Sequence, residues 1–186
     1  MWFHMKIIGI TSSPRGKGSN STTALNLALD VAKDNGADVE IFDLTKMNIA
    51  DCQGDDYCKS HNGECPVNDD MQQLYSALKE CDGVVLASPI YFFDLTGITR
   101  IFIDRLYAFY LSTFPEEYKG KKFSIITTQE IADEDEFRAS AELAAKGFES
   151  LGFKIMDIEC FGDVNEPNSL SDEQIKRAQK LGENLL

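Results

Sequence analysis

Apolar residues recur along the chain in two rhythms. Short apolar or β-branched runs have the length and composition of strands: MKIIGI at 5–10, ADVEIFDL at 37–44, GVVLAS at 83–88, KKFSIITT at 121–128 and FKIMDIECF at 153–161. Between them, apolar positions fall at helical spacing. Ala24, Leu25, Ala28, Leu29 and Ala32 predict a helix over 21–33, closed by a turn at Asn35 and Gly36. Further helices are predicted over about 69–79, 97–111 and 135–151, and a last one is opened by the capping-box pair Ser171 and Gln174. Five strands alternating with five helices predict an α/β fold, an open doubly wound five-stranded parallel sheet with helices on both faces. The unbroken apolar character of GVVLAS suits a strand covered on both sides. Ligands of such sheets sit beyond the carboxyl ends of the strands, where strand order reverses. Three loops are therefore of interest, those after the first, third and fourth strands.

At 186 residues, with no internal repeat, low-complexity tract or linker, the chain reads as one domain spanning 1–186. Residues 1–4 form a short extension before Met5 and residues 45–67 a cysteine-bearing loop. The balance of 18 basic against 31 acidic residues, net −13, sets a field that repels nucleic acid and anionic membrane surfaces. No apolar run approaches the roughly 18–20 residues that span a bilayer. Five cysteines, an odd number with three clustered and no secretory signal, argue against a disulfide framework and for a reducing, cytoplasmic setting.

The loop after the first strand, TSSPRGKGSNST, places small hydroxyl residues, two glycines and two cations where a strand hands over to a helix. Backbone N–H groups and the helix dipole favour an anion there. Ser13, Ser19, Asn20, Ser21 and Thr22 add hydroxyl or amide donors, and Arg15 or Lys17 adds charge. Neither GxGxxG nor GxxxxGK[ST] is present, which disfavours the dinucleotide-binding and nucleoside-triphosphate fingerprints.

TSSPRGKGSNST resembles the GSPRxxGNT-type loop of the NADPH-dependent FMN reductase family. SPIYFFDLTGITRIFIDRLY resembles that family's flavin-ring loop and the helix after it, and KGKKFSIITT its fourth strand. The cysteine stretch followed by NDDM resembles the iron-sulfur flavoprotein branch. The resemblance implies a flavodoxin-like sheet of order 2-1-3-4-5, FMN as cofactor, NAD(P)H as co-substrate, a small-molecule or protein electron acceptor, and a homodimer or homotetramer. It implies flavin contacts from Pro89, Ile90, Tyr91, Phe92 and Phe93, and from Thr127, Thr128 and Gln129 at the far edge of the ring. Pro89 stiffens its loop, backbone N–H groups there can stabilise charge on a reduced ring, and Tyr91 and Phe92 can lie against its face. The aromatic residues can equally serve the core or an interface. Asp94 departs from the family, which has a small or polar residue there, and a carboxylate beside a flavin disfavours an anionic reduced ring. The acidic IADEDEF after the fourth strand reads as a solvated helix start.

A flavin supplies the redox chemistry itself, so no side chain is nominated as catalytic. A serine hydrolase lacks a base, since His4 and His61 are the only histidines and neither accompanies a nucleophile elbow. A response regulator would need an acidic pocket where TSSPR stands. A non-enzymatic electron carrier of flavodoxin type, or an iron-sulfur flavoprotein acting as one, uses the same cofactor and stays open beside the enzyme.

CQGDDYCKSHNGEC holds three of the five cysteines. On the branch motif C-x2-C-x2-C, followed about four to seven residues later by a fourth cysteine, the ligand positions fall on Cys52, Asp55, Cys58 and Cys65. One thiolate is replaced by a harder carboxylate. Cys52, Cys58, His61 and Cys65 make an alternative three-cysteine, one-histidine zinc set, and thiols in a metal-free loop are the third reading. Cys81 and Cys160 sit beside apolar strands as packed thiols.

Overall fold

Five parallel strands form one sheet, and an additional two-residue strand pairs antiparallel with the end of the third. The computed structural model describes residues 5–16 and 18–186; the extension at 1–4, with His4, and the loop cation Lys17 lie outside the described residues. In chain order the elements are β1 (Lys6–Thr11), α1 (Asn20–Asp34), β2 (Asp38–Asp43), α2 (Tyr57–Ser60), α3 (Met71–Glu80), β3 (Gly83–Tyr91), β4 (Asp94–Leu95), α4 (Gly97–Arg105), α5 (Phe114–Glu117), β5 (Lys122–Thr128), α6 (Arg138–Ser150), β6 (Lys154–Phe161) and α7 (Asp172–Asn184). The sheet order is β2-β1-β3-β5-β6, with β4 paired to β3 alone; with β4 set aside this is the expected 2-1-3-4-5, so the doubly wound sheet stands as predicted and the count of strands is corrected from five to six.

Strand alternation divides the core in two. Ile8, Ile10, Val84, Leu86, Phe123 and Ile125 face the layer of α3, α4 and α6, whereas Ile7, Val85, Ala87 and Ile126 face α1 and α7. Most of these side chains are fully buried, each worth about 1.5–3 kcal/mol relative to exposure. The ends of α1 and α7 follow the local signals. Ser19 caps α1 by accepting from the Thr22 N–H at 3.3 Å, and Ser171 and Gln174 form the expected capping box at α7.

Two elements depart from the pattern. The predicted helix over 97–111 ends at Arg105, and Leu106–Ala108 tightens into a 3-10 turn. There the Tyr75 hydroxyl donates to the Arg105 carbonyl at 2.8 Å, the Phe109 N–H goes to Leu106 rather than one residue further back, and Leu111 takes φ +57°. Tertiary bonding overrides an unbroken helical spacing. The strand predicted over 83–88 runs on to Tyr91 and folds back, which turns the expected loop into a hairpin.

Candidate functional site

The carboxyl ends of β1, β3 and β5 surround a cavity of about 390 Å³. On the β1 side, the Ser12 N–H and hydroxyl both go to the Ala87 carbonyl, at 3.2 and 3.4 Å, and this ties the loop to β3. Ser13 and Ser19 are buried and line the cavity with Asn20 and the exposed Arg15. The Asn20 amide donates to the Glu166 carbonyl at 2.8 Å and accepts from the Ser169 N–H at 2.9 Å, so the segment after β6 braces this end. Ser21 and Thr22 lie outside the lining. The Ser21 hydroxyl stands 3.0 Å from that of Ser19, and Thr22 pairs with the Thr11 hydroxyl at 2.7 Å.

The middle wall is the β3–β4 hairpin. Ile90 pairs with Leu95 and Tyr91 with Asp94, leaving Phe92 and Phe93 as a two-residue turn at φ +47° and +75°. Two-residue hairpin turns require such left-handed backbone, usually supplied by Gly or Asn, and a phenylalanine holds it only where the surroundings fix it. Buried hydroxyls fix the base of the hairpin. Ser88 Oγ donates to the Pro89 carbonyl at 2.9 Å and accepts from the Thr96 N–H and the Thr99 hydroxyl, both at 3.3 Å.

The third wall follows β5. Thr128 and Gln129 line the cavity, whereas Thr127 lies beside Cys160 on β6, outside the lining. The Gln129 amide Nε2 donates to the Ile131 carbonyl at 3.3 Å and the Asp133 carbonyl at 2.5 Å. Those two acceptors settle which way the amide points. Its Oε1 is then buried with no partner among the described residues. Glu130, Ile131 and Phe137 complete this wall, with Val164 beside it, its N–H donating to the Gln129 carbonyl at 3.2 Å. The acidic run read as a solvated helix start therefore borders the site, and α6 begins only at Arg138. The segment packs so tightly on the chain after β6 that a Cβ on Gly162 would lie 2.6 Å from the Ile131 and Ala132 carbonyl oxygens. Arg177 holds the outer side, bonding both Glu134 oxygens at 3.0 and 2.8 Å and Glu159 at 2.8 and 2.5 Å.

Polar donors and a cation stand at the β1 side, apolar aromatic walls in the middle, and an unpaired amide acceptor at the β5 side. That distribution fits a planar ring carrying a phosphate, and the volume falls within the roughly 300–1,000 Å³ of small-molecule sites. Glu130, Ile131, Phe137 and Val164 carry no sequence motif. Only the tertiary path of the segments after β5 and β6 brings them in.

The cysteine loop forms a second, much smaller cavity of about 20 Å³, lined by Cys52, Asp55, Cys58, Cys65 and Arg105 among others. Two of its candidate ligands are engaged elsewhere. Asp55 accepts from the Tyr57 N–H at 3.1 Å, and Cys65 Sγ accepts from Arg105 Nη2 at 3.5 Å. His61 is absent from this lining; its ring stacks on Tyr57 at 3.6 Å, with Nδ1 against the Tyr57 carbonyl. Among the described residues no three Cys, His, Asp or Glu side chains stand together as a metal-holding group. Three thiols and a carboxylate line this cavity without converging on a common point, so the donor set does not fit iron-sulfur or zinc ligation as arranged.

What organises the loop is a buried ion pair. Arg105 Nη1 lies 2.6 Å from Asp69 Oδ2, with side chains 1% and 5% exposed, and also donates to the Ala50 carbonyl at 2.8 Å. Burial alone would raise the Asp69 pKa, but the Arg105 hydrogen bond, the Ala50 and Met71 N–H groups and the guanidinium charge together hold it below the usual carboxylate range. Burial raises the Cys58 thiol and pushes Cys81 up to about 11.

Among the described residues no helix is long and apolar enough to cross a membrane. The family model described as NADPH-dependent FMN reductase matches residues 5–170. An iron-sulfur flavoprotein of Archaeoglobus fulgidus is 32% identical over 181 residues, 96% of this chain and 77% of the relative. An iron-sulfur flavoprotein of Methanocaldococcus jannaschii is 36% identical over 101 residues, 54% of this chain and 51% of that protein, so the match spans about half of its length. Among solved structures, an NAD(P)H:quinone oxidoreductase from Methanothermobacter marburgensis superposes with a TM-score of 0.74, at 19% identity, over 98% of this chain and 97% of its own, a likeness of fold. With its fold, its strand-end cavity and a match along nearly the whole sequence, the chain belongs to the NADPH-dependent FMN reductase family, a family of flavin oxidoreductases.

Proposed function

We propose that the protein binds FMN in the strand-end cavity, takes a hydride onto it from NAD(P)H, and passes the electrons to a quinone, a flavin or a protein acceptor. The observation that carries the reading is Gln129: a cavity-lining amide held by two carbonyls, with a buried Oε1 acceptor that has no partner among the described residues. A ring N–H is the group such an acceptor lacks. Ser13, Ser19 and the start of α1, with Arg15, are the donors for the phosphate. The backbone of 89–93 runs along the ring, and the Ser88–Thr96–Thr99 hydroxyls keep that backbone in place. Bound FMN supplies the two-electron chemistry, and the chain supplies position and electrostatics. No step runs through the cysteine loop. The reading includes a cytoplasmic homo-oligomer.

The test is direct. Protein purified without oxygen is expected to show a flavin spectrum, or to take up one FMN per chain when the stripped protein is titrated, and to bleach on addition of NADH or NADPH. Failure to bind FMN overturns the proposal. A loaded protein that neither nucleotide reduces would instead indicate the electron-carrier alternative.

A further inference from the structure

We infer that the rim of the cavity selects the electron acceptor by shape and charge: Phe92 and Phe93 form a shelf for a planar, uncharged or cationic aromatic molecule, and Glu130 with Asp94 repels an anionic one. The inference rests on the FMN reading above and names which acceptors reach that site. Phe92 is 94% exposed and Phe93 67%, at the turn of the β3–β4 hairpin. Both hold left-handed backbone that phenylalanine disfavours. A ring left that open gains almost nothing from burial, so folding alone offers no compensation for the strained backbone that presents it. It is nevertheless held in place. Phe93 packs edge-to-face on Phe92 and on Phe137, each at 5.5 Å between centroids, and this bridges the walls after β3 and β5. Phe93 is thereby the anchor and Phe92 the open face, suited to offset or edge-to-face contact with a second planar ring.

Charge narrows the class. Among the described lining residues Arg15 is the one cation, and it stands on the phosphate side. Glu130 lines the opposite wall, and Asp94 sits across the hairpin from Tyr91. Neither carboxylate has a salt-bridge partner among the described residues, and the whole chain carries −13. Acidic groups beside a low-dielectric aromatic surface repel sulfonates and carboxylates and tolerate neutral or cationic rings.

Binding can be read without turnover, because oxidised FMN-loaded protein and an oxidised acceptor exchange no electrons. Menadione, a sulfonated naphthoquinone and methylene blue serve as the uncharged, anionic and cationic probes, followed by calorimetry and by perturbation of the flavin band. At low ionic strength the uncharged and cationic probes are expected to bind about tenfold tighter than the sulfonate, with a gap that shrinks in high salt. Phe92→Ala is expected to weaken menadione by about fivefold, with Phe93→Ala as a second variant acting through the anchor. Asp94→Asn with Glu130→Gln is expected to tighten the sulfonate. Equal affinity for all three probes, or a Phe92→Ala protein that binds menadione as the parent does, overturns the inference. Flavin content measured before each titration separates the two claims. A protein without FMN removes the underlying reading and this inference with it; a loaded protein indifferent to probe charge removes the shelf alone.

Discussion

Gln129→Met keeps length and volume while deleting both the donor and the acceptor of the amide. In the FMN-free protein it removes two hydrogen bonds, to Ile131 and Asp133, worth about 0.5–1.5 kcal/mol each. It also relieves one buried unpaired acceptor, a penalty of about 1–3 kcal/mol. The two nearly cancel, so the melting temperature of the stripped protein should move by no more than about 2–4 °C. With FMN the balance differs. The ring N–H loses its acceptor and stays buried without one, costing about 1.5–3 kcal/mol, or roughly 10- to 150-fold in Kd. Quenching of FMN fluorescence on titration into stripped protein measures Kd, and a thermal melt of the same sample measures stability. Gln129→Glu retains an acceptor but replaces the amide donor with a buried carboxylate facing the Ile131 and Asp133 carbonyls, so it should destabilise the stripped protein, which the methionine does not. A methionine variant that binds FMN within twofold of the parent would refute the assignment. A loss of FMN affinity that tracks the loss of stability across the two variants would show that Gln129 acts through the 130–133 segment rather than on the ring.

Gly162→Ala places a methyl group 2.6 Å from two backbone carbonyl oxygens, so the 131–132 segment must move; a stability loss of about 1–3 kcal/mol in urea, with weakened FMN binding, is expected. Arg105→Met strands the buried Asp69 carboxylate and should cost about 3–5 kcal/mol, much of it recovered when Asp69→Leu is added. Because the Asp69 pKa is depressed in the folded state, its contribution is present above the unfolded value near pH 4 and is lost as pH falls through the folded one; acid titration of stability should show this loss in the parent and not in Asp69→Asn. With thiol reagents at pH 8, the exposed Cys52 should react quickly. The buried Cys81, its pKa pushed up to about 11, should react only on unfolding.

Much of the scaffold was legible because its signals are local. The apolar runs of β1, β3 and β5, the helical spacing of α1, the Asn35–Gly36 turn and the Ser171–Gln174 box each act within a few residues. The hydroxyl-rich turn between β1 and α1 was legible for the same reason. Less could be read where a distant partner decides. The residues from 106 to 111 keep helical spacing, yet Tyr75, thirty residues earlier, takes the Arg105 carbonyl and the helix ends. The Phe92–Phe93 turn lacks the glycine or asparagine that marks a two-residue hairpin, so its backbone is imposed by the Ser88–Thr96–Thr99 anchor below it.

Local pattern alone specifies the alternation of strands and helices, hence a parallel sheet, its carboxyl edge, and the three loops at that edge. Periodicity and capping are properties of neighbouring residues, and one chain displays them without folding. Which loop residues share a cavity is set by long-range packing. It turned Thr127 toward Cys160, brought Glu130, Phe137 and Val164 to the site, left the Gln129 acceptor unpaired, and placed Arg105 and Asp69 beneath the cysteines. Those facts depend on strand order, side-chain alternation and close backbone approach, which long-range packing sets and no local pattern encodes.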